Sequence, residues 1–264
     1  HIAHIVSTAT SAPIIGIHGG QGSGKSTLSQ ALKEIYQKAF GWKVVVVSID
    51  DLYLTHAERQ GLGRKVHPLL VTRGVPGTHN TQLGMTLFQQ LRDLKASQIC
   101  KIPAFDKASD DRLPESQWHM IEGPVDLILF EGWCVGCQAV SSETLKTPIN
   151  ELEAKEDING QWRTWVNEQL AGTYKDWFAM MDYLIMLKVP DMAAVQRWRS
   201  EKEKGNRSNA QGSTDRSLDD AGIVRFIQHY ERLTKQALTT LPDLANLILD
   251  INSAHQVATI RPGK

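Results

Sequence analysis

The chain has no surplus of charge of either sign: 29 Lys and Arg stand against 29 Asp and Glu among 264 residues. That balance excludes the general attraction to nucleic acid or an anionic membrane that a basic surface exerts, so phosphate recognition has to be local. Cysteine is scarce, with three in all, Cys100, Cys134 and Cys137. They are too few for a disulfide framework. Cys134 and Cys137 form a CxxC, but no second pair or spaced histidine pair completes a zinc site, so buried inert thiols in a reducing, cytoplasmic compartment are expected. Long hydrophobic runs are missing too: VVVV at 44–47 and LILF at 127–130 are strand-sized, and no secretory or transmembrane segment is recognisable. Neither internal repeats nor low-complexity stretches occur. The tryptophans, including Trp162, Trp165 and Trp177, lack the basic surround of a base-stacking platform and read as packing residues.

What is present is more specific. Residues 19–26 read GGQGSGKS, fitting G-x-x-x-x-G-K-[ST], a pattern that cradles the phosphates of a nucleoside triphosphate. Gly19, Gly20, Gln21, Gly22, Ser23 and Gly24 would present backbone N–H groups to phosphate oxygens. Lys25 would reach the β and γ phosphates and Ser26 the Mg²⁺ ion, with Thr27 following in the first helical turn. The context agrees, because PIIGIHG (13–19) is an apolar run of a buried strand and Leu28, Ala31, Leu32, Ile35 and Tyr36 follow at helical spacing up to Gly41,.

The same alternation continues. KVVVVSIDD (43–51), VDLILFEGW (125–133), YLIMLKV (183–189) and LANLILDIN (244–252) read as strands covered on both faces. Helices are expected at Leu83, Leu87, Leu91 and Leu94, within 138–180, after Pro190, and through Ile227 and Tyr230 with Ser217 as N-cap. Residues 54–80 and 100–115 read as loops, and 209–217 as a polar break suited to a lid hinge. This predicts one domain over 1–264, a three-layer α/β/α fold with a mainly parallel sheet and a small helical lid at about 191–217. Ligands in such sheets bind beyond the strand carboxyl ends. Glu131 sits at one such end and could hold Mg²⁺ opposite Ser26. Asp50 and Asp51 close another, where one of them, by preference Asp50, could take the proton of an attacking hydroxyl.

GGQGSGKST, SIDDLYLT, RGVPGTH, IPAFDK and LILFEGW, in this order, resemble the P-loop small-molecule kinases related to uridine kinase, phosphoribulokinase and pantothenate kinase, and among them the glycerate 3-kinase type, over roughly residues 13–250. The resemblance implies ATP and Mg²⁺ as cofactors and Asp50 as general base. It places the family's strand-end glutamate on Glu131 and its lid arginine on Arg199, beside Trp198, with Arg197 and Arg207 near. Asn80 stands where the family pattern has Asp, and the FDKASDDR segment is shorter than in plant-type relatives.

Asp51, Tyr53, Arg73, Thr78, His79, Asp106, Lys107 and Arg112 are the candidates for holding the acceptor, an anionic small molecule for which Arg, Lys and His supply donors. D-glycerate or a similar hydroxy acid is the expected acceptor; a nucleoside, sugar or pantothenate is the alternative. A nucleotide-hydrolysing switch or assembly factor is the competing class, against which stands the absence of an NKxD guanine-reading motif. No nucleic-acid or membrane partner is expected, and the turn at 252–255 is the candidate for the nucleotide base.

Overall fold

A computed structural model describes the backbone of residues 1–209 and 220–263, and the side chains of residues 1–201 and 222–263. Its centre is a six-stranded sheet in the order β10-β9-β8-β1-β7-β2. The strands are β1 (Ile14–Gly19), β2 (Val44–Ser48), β7 (Leu127–Gly132), β8 (Tyr183–Lys188), β9 (Leu247–Ile251) and β10 (Val257–Pro262). All neighbours run parallel except β10, which is antiparallel to β9.

Both faces are covered, which explains why β1 and β7 are continuous apolar runs instead of alternating ones. Alternation survives in where the side chains go. Ile14, Ile128 and Phe130 point into one core, while Ile15, Ile17, Leu127 and Leu129 point into the other,. The second core is closed by α1 (Ile2–Thr8), α2 (Lys25–Phe40) and α8 (Met192–Asn209), through Ile2, Leu28, Leu32, Val195 and Trp198. The first is closed by α4 (Thr81–Asp93), α7 (Thr173–Phe178) and α9 (Asp220–Thr240). In α4 the Leu87, Phe88 and Leu91 side chains are at most 2% exposed, each contributing about 1.5–3 kcal/mol by burial. Gly41 ends α2 at φ +71°, its N–H on the Gln37 carbonyl, as its position in sequence suggests.

Two stretches expected to be loops are structured. Residues 54–80 contain α3 (His56–Lys65), started by a Thr55/Glu58 capping box, and a 3₁₀ turn at Pro68–Val71. The helix has no clear apolar stripe because it carries Gly61 and Gly63, and the reason for one of them is tertiary: a Cβ on Gly63 would lie 2.4 Å from Val71 Cγ2. Residues 99–122 form two ribbons, β3 (Ile99–Ile102) with β6 (His119–Glu122), and β4 (Phe105–Asp106) with β5 (Asp111–Arg112). The intervening region expected to be helical is so, with α5 (Glu151–Glu156), α6 (Gln161–Ala171) and α7. There Leu152 and Trp162 join Leu69, Leu70 and Val75 in a small third core beneath the 73–80 segment. The hinge expected at 209–217 and the cap at Ser217 lie outside the described residues, apart from Asn209 at the end of α8. Among the described residues no helix is long and apolar enough to cross a membrane.

Candidate active site

Strand β1 lies beside β7 and β8, not beside β2, so the chain order switches at its carboxyl end and opens a crevice there,. The glycine loop fills the start of that crevice, between β1 and α2. Gly22 (φ +79°) and Gly24 (φ +93°) occupy left-handed backbone, and a Cβ on Gly19 would fall 2.5 Å from Ser23 Oγ,. Gly24 caps α2 without a side-chain acceptor, leaving the first-turn N–H groups and the positive end of the helix dipole for an anion. The Ser23 hydroxyl is buried with no hydrogen-bond partner among the described residues. Lys25 Nζ donates to the Gly20 carbonyl at 3.2 Å and Ser26 Oγ to Glu131 Oε1 at 2.8 Å. Gln21 bonds to Tyr230, and Thr27 is exposed in the first turn. An orphan hydroxyl, a Cβ-free cradle and a paired hydroxyl and carboxylate fit a triphosphate and a hard, oxygen-seeking Mg²⁺ ion. Among the described residues no three His, Cys, Asp or Glu side chains are grouped so that they could hold a metal ion.

Strand β2 ends at Ser48, and the chain then turns through a 3₁₀ segment, Ile49–Leu52. Asp50 and Asp51 are therefore past the strand, where the rule that successive side chains face opposite ways no longer separates them. Asp50 accepts from Tyr53 Oη at 2.9 Å and pairs with Lys107 Nζ at 2.6 Å. Burial works against its ionisation, but the Lys107 charge and these hydrogen bonds outweigh it and hold the carboxyl below its ordinary value,. Among the described residues the Asp51 carboxylate accepts only from the Phe105 N–H, at 3.3 Å; burial, with Asp50 and Glu131 adding repulsion, pushes its pKa up to about 6. The two neighbours are thus driven apart, one kept as an anion and the other toward the neutral acid.

The 73–80 segment is held from outside by chain-distant residues. Trp133 Nε1 donates to the Gly74 carbonyl at 3.0 Å, and Tyr230 Oη to the Arg73 carbonyl at 3.2 Å. Tyr174 Oη accepts the Gly77 N–H at 2.8 Å and the His79 N–H at 3.3 Å, and lies 2.6 Å from His79 Nδ1. With both lone pairs engaged, the hydroxyl gives its one proton to Nδ1, so the His79 proton sits on Nε2. Burial lowers the His79 pKa to about 3, against a smaller pull from Asp50. Its ring stacks on Tyr53 at 4.4 Å, which ties it to Asp50. Arg73 ion-pairs with Asp110, its guanidinium 5.5 Å from the Phe105 ring centre.

Asp50, Asp51, Tyr53, His79, Lys107 and Arg73 are thus assembled around one corner. Three other expected substrate contacts are engaged in the scaffold. The Thr78 hydroxyl, fully buried, accepts from Gly74 N–H and donates to the Val75 carbonyl, leaving it no further proton. The Asp106 carboxylate caps its own turn at the Ala108 and Ser109 N–H groups, and Arg112 reaches the Tyr53 carbonyl and Glu58. Asn80 accepts from Leu83 N–H at 2.9 Å as the cap of α4. On the other side of the glycine loop, Trp198 packs on Gly22 and stacks at 4.3 Å on His255, in the 252–255 turn, while Arg199 lies over Phe226 at 4.8 Å. The Arg207 side chain lies outside the described residues. Cys134 and Cys137 are free and buried, and burial raises both thiol pKa values. Tyr174, Trp133, Tyr230, Arg59 and Asp110 were not expected at the site.

A phosphate-binding glycine loop with carboxylates at the ends of neighbouring parallel strands defines a P-loop α/β protein. The family model described as "Phosphoribulokinase / Uridine kinase family" matches residues 14–140. The chain is 33% identical over 255 residues to "Uncharacterized kinase mug58" of Schizosaccharomyces pombe, covering 90% of this chain and 88% of that protein. It belongs to that family. It is also 33% identical over 237 residues to "D-glycerate 3-kinase, chloroplastic" of Arabidopsis thaliana, covering 86% of this chain but spanning only 48% of the plant protein. In fold it is similar to the solved D-glycerate 3-kinase of Cryptococcus neoformans var. grubii, with a TM-score of 0.80 at 22% identity over 99% of this chain and 94% of the other.

Proposed function

We propose that the chain is an ATP- and Mg²⁺-dependent kinase that phosphorylates a hydroxyl of a small hydroxy acid, D-glycerate being the leading acceptor. The observation that carries this reading is the Asp50 carboxylate, kept ionised beside the glycine loop, with Lys107 against it and Arg73 across the Phe105 ring. An anionic base next to two cations suits an acceptor that offers a hydroxyl at one end and a carboxylate at the other. The names of the plant and Cryptococcus relatives point the same way.

In this reading the glycine loop, Lys25 and Thr27 bind the phosphates, and Ser26 with Glu131 holds the magnesium. Bound ATP and Mg²⁺ supply the transferable phosphoryl group and the neutralisation of its charge. Asp50 takes the proton of the acceptor hydroxyl on a carboxylate oxygen, oriented by Tyr53. Arg73, with the Nε2–H of His79 or the Lys107 ammonium, holds the acceptor carboxylate, and Asp51 lines the same corner. Arg199, on α8, would neutralise phosphoryl charge when a lid formed by residues 191–217 of this single domain closes. The buried free thiols suit a reducing, cytoplasmic location,.

A coupled ADP-release assay with D-glycerate, glycerol, uridine, pantothenate and simple sugars tests the reading. Turnover should require an acceptor and favour glycerate. Equal rates with glycerol would remove the carboxylate from the argument, and full ATP turnover without any acceptor would favour a nucleotide-driven switch.

A further inference from the structure

Arg73 is not idle: its guanidinium is held by a carboxylate of the protein itself. Asp110 gives one oxygen to Arg73 Nη1 and the other to Arg59 Nη2 at 2.9 Å and His56 Nδ1 at 3.2 Å. It sits at the tip of the β4–β5 hairpin with φ +58°, a left-handed conformation that few side chains adopt without a compensating contact,. Three donors converging on one carboxylate make a complete carboxylate-recognition site, filled from within.

The two arginines differ. Arg59 is fully buried and donates to three carbonyls, those of Leu54, Val71 and Asp110, at 3.2, 2.7 and 2.6 Å. It cannot leave, and it anchors the Asp110 backbone as well as its carboxylate. The Arg73 side chain is 27% exposed, and its head lies near the Phe105 ring, which also packs edge-on against Tyr53, the partner of Asp50. Arg73 is therefore the movable arm, and it can exchange one carboxylate for another without dismantling the buried pair. The same hairpin carries Lys107, which occupies Asp50. Its tip thus presents a cation to the base and an anion to the arginine.

We propose that Asp110 is a specificity-determining residue of the acceptor site: its carboxylate competes with that of the acceptor for Arg73, so an acceptor binds by taking Arg73 from it. This rests on the reading of Arg73 as the acceptor's carboxylate partner. The competition weakens binding of every anionic acceptor and leaves neutral ones, which take nothing from Arg73, untouched, so Asp110 sets how strongly the site prefers anions. Removing the competing charge should favour a dianion more than a monoanion.

Asp110→Asn tests this, because the amide oxygen can still accept from Arg59 while the charge is gone. The expected result is a KM for D-glycerate lower by about 3- to 10-fold, the size of one partly exposed ion pair, with the KM for ATP unchanged. Inhibition by hydroxymalonate, the dicarboxylate analogue, should strengthen by a larger factor. An unchanged or raised glycerate KM in Asp110→Asn, with Arg73→Ala raising it, would overturn the competition and leave the reading of Arg73 standing. If Arg73→Ala leaves the glycerate KM untouched, both fail. Should Asp110→Asn not fold, amide exchange in the unaltered protein decides. D-glycerate, and not glycerol, should speed exchange at residues 107–111, and slower exchange there would refute displacement.

Discussion

Tyr174→Phe is the most demanding test of how the 73–80 segment is built. The side chain is 1% exposed, and its hydroxyl serves the Gly77 N–H, the His79 N–H and His79 Nδ1. Deleting one oxygen leaves two buried backbone donors and one imidazole nitrogen without a partner. An unsatisfied buried group costs about 1–3 kcal/mol. The His79 N–H bond is long, and some relaxation is available around two glycines, so a total of about 3–5 kcal/mol is expected. For a chain of this size that is a drop in Tm of roughly 6–15 °C. Urea unfolding followed by tryptophan fluorescence gives the free energy, and calorimetry gives Tm. A cycle with His79→Leu apportions it: the imidazole share, about 1 kcal/mol, should vanish in that background while the backbone share remains. The acceptor KM should rise with the ATP KM unchanged, because the lost contacts orient the acceptor loop and not the glycine loop. A stability loss below about 1 kcal/mol would mean that the hydroxyl is not the hub described here.

Other outcomes follow from the same geometry. Lys25→Ala should lower kcat by about 10²- to 10³-fold with an unchanged circular dichroism spectrum, and full activity would remove the glycine loop from the chemistry. Asp50→Asn should cost about 10²- to 10⁴-fold in kcat with little change in ATP affinity measured by calorimetry, whereas a larger loss in Asp51→Asn would reverse their roles. Arg73→Ala should raise the KM for D-glycerate by one to two decades, at about 1.5–3 kcal/mol per lost charge-assisted bond, and leave glycerol turnover unaffected. Acid should destabilise the protein. His18 and His79 fall from 6.5 to about 3 on folding, His18 through burial and then Lys25, so the unfolded chain takes up their protons first as pH drops below 6.5,. Each adds a slope of at most about 1.4 kcal/mol per pH unit. Asp51, raised from 3.8 to about 6, opposes them between those two values because the folded state protonates first,. Urea titrations at several pH values should show a flatter slope in His18→Gln.

The parts legible in the sequence are those fixed by local constraints. VVVV and LILF declare buried parallel strands because both faces are covered, and Gly19 to Ser26 declares a phosphate cradle because few other residues permit its backbone. Helix α3 hides because Gly63 answers to Val71, a contact no local pattern encodes. Strand β10 hides because it lies at the sheet edge with most positions exposed and no alternation. Asp50 and Glu131 could be named from their strand-end positions. The turn that brings Asp51 to the same corner and the carboxylate that occupies Arg73 depend on tertiary contacts. Tyr174 lies about 95 residues from His79 in a stretch readable only as helical, so nothing near it marks its role.

The anchoring of the 73–80 segment has a consequence for how such kinases can change acceptors. Trp133 follows β7, Tyr174 belongs to α7 and Tyr230 to α9, and all three hold main-chain atoms between Arg73 and His79. At Gly74 and Gly77 a Cβ would lie within 2.2 Å of Tyr230 Oη and 2.1 Å of Trp165 Cζ3. The segment is therefore not an exchangeable cassette. Transplanting it from a relative would bring a backbone whose supports remained behind, in three places far along the chain. New acceptor preferences should arise more readily at the β4–β5 hairpin, which touches the site from one side and can vary in length without disturbing those supports.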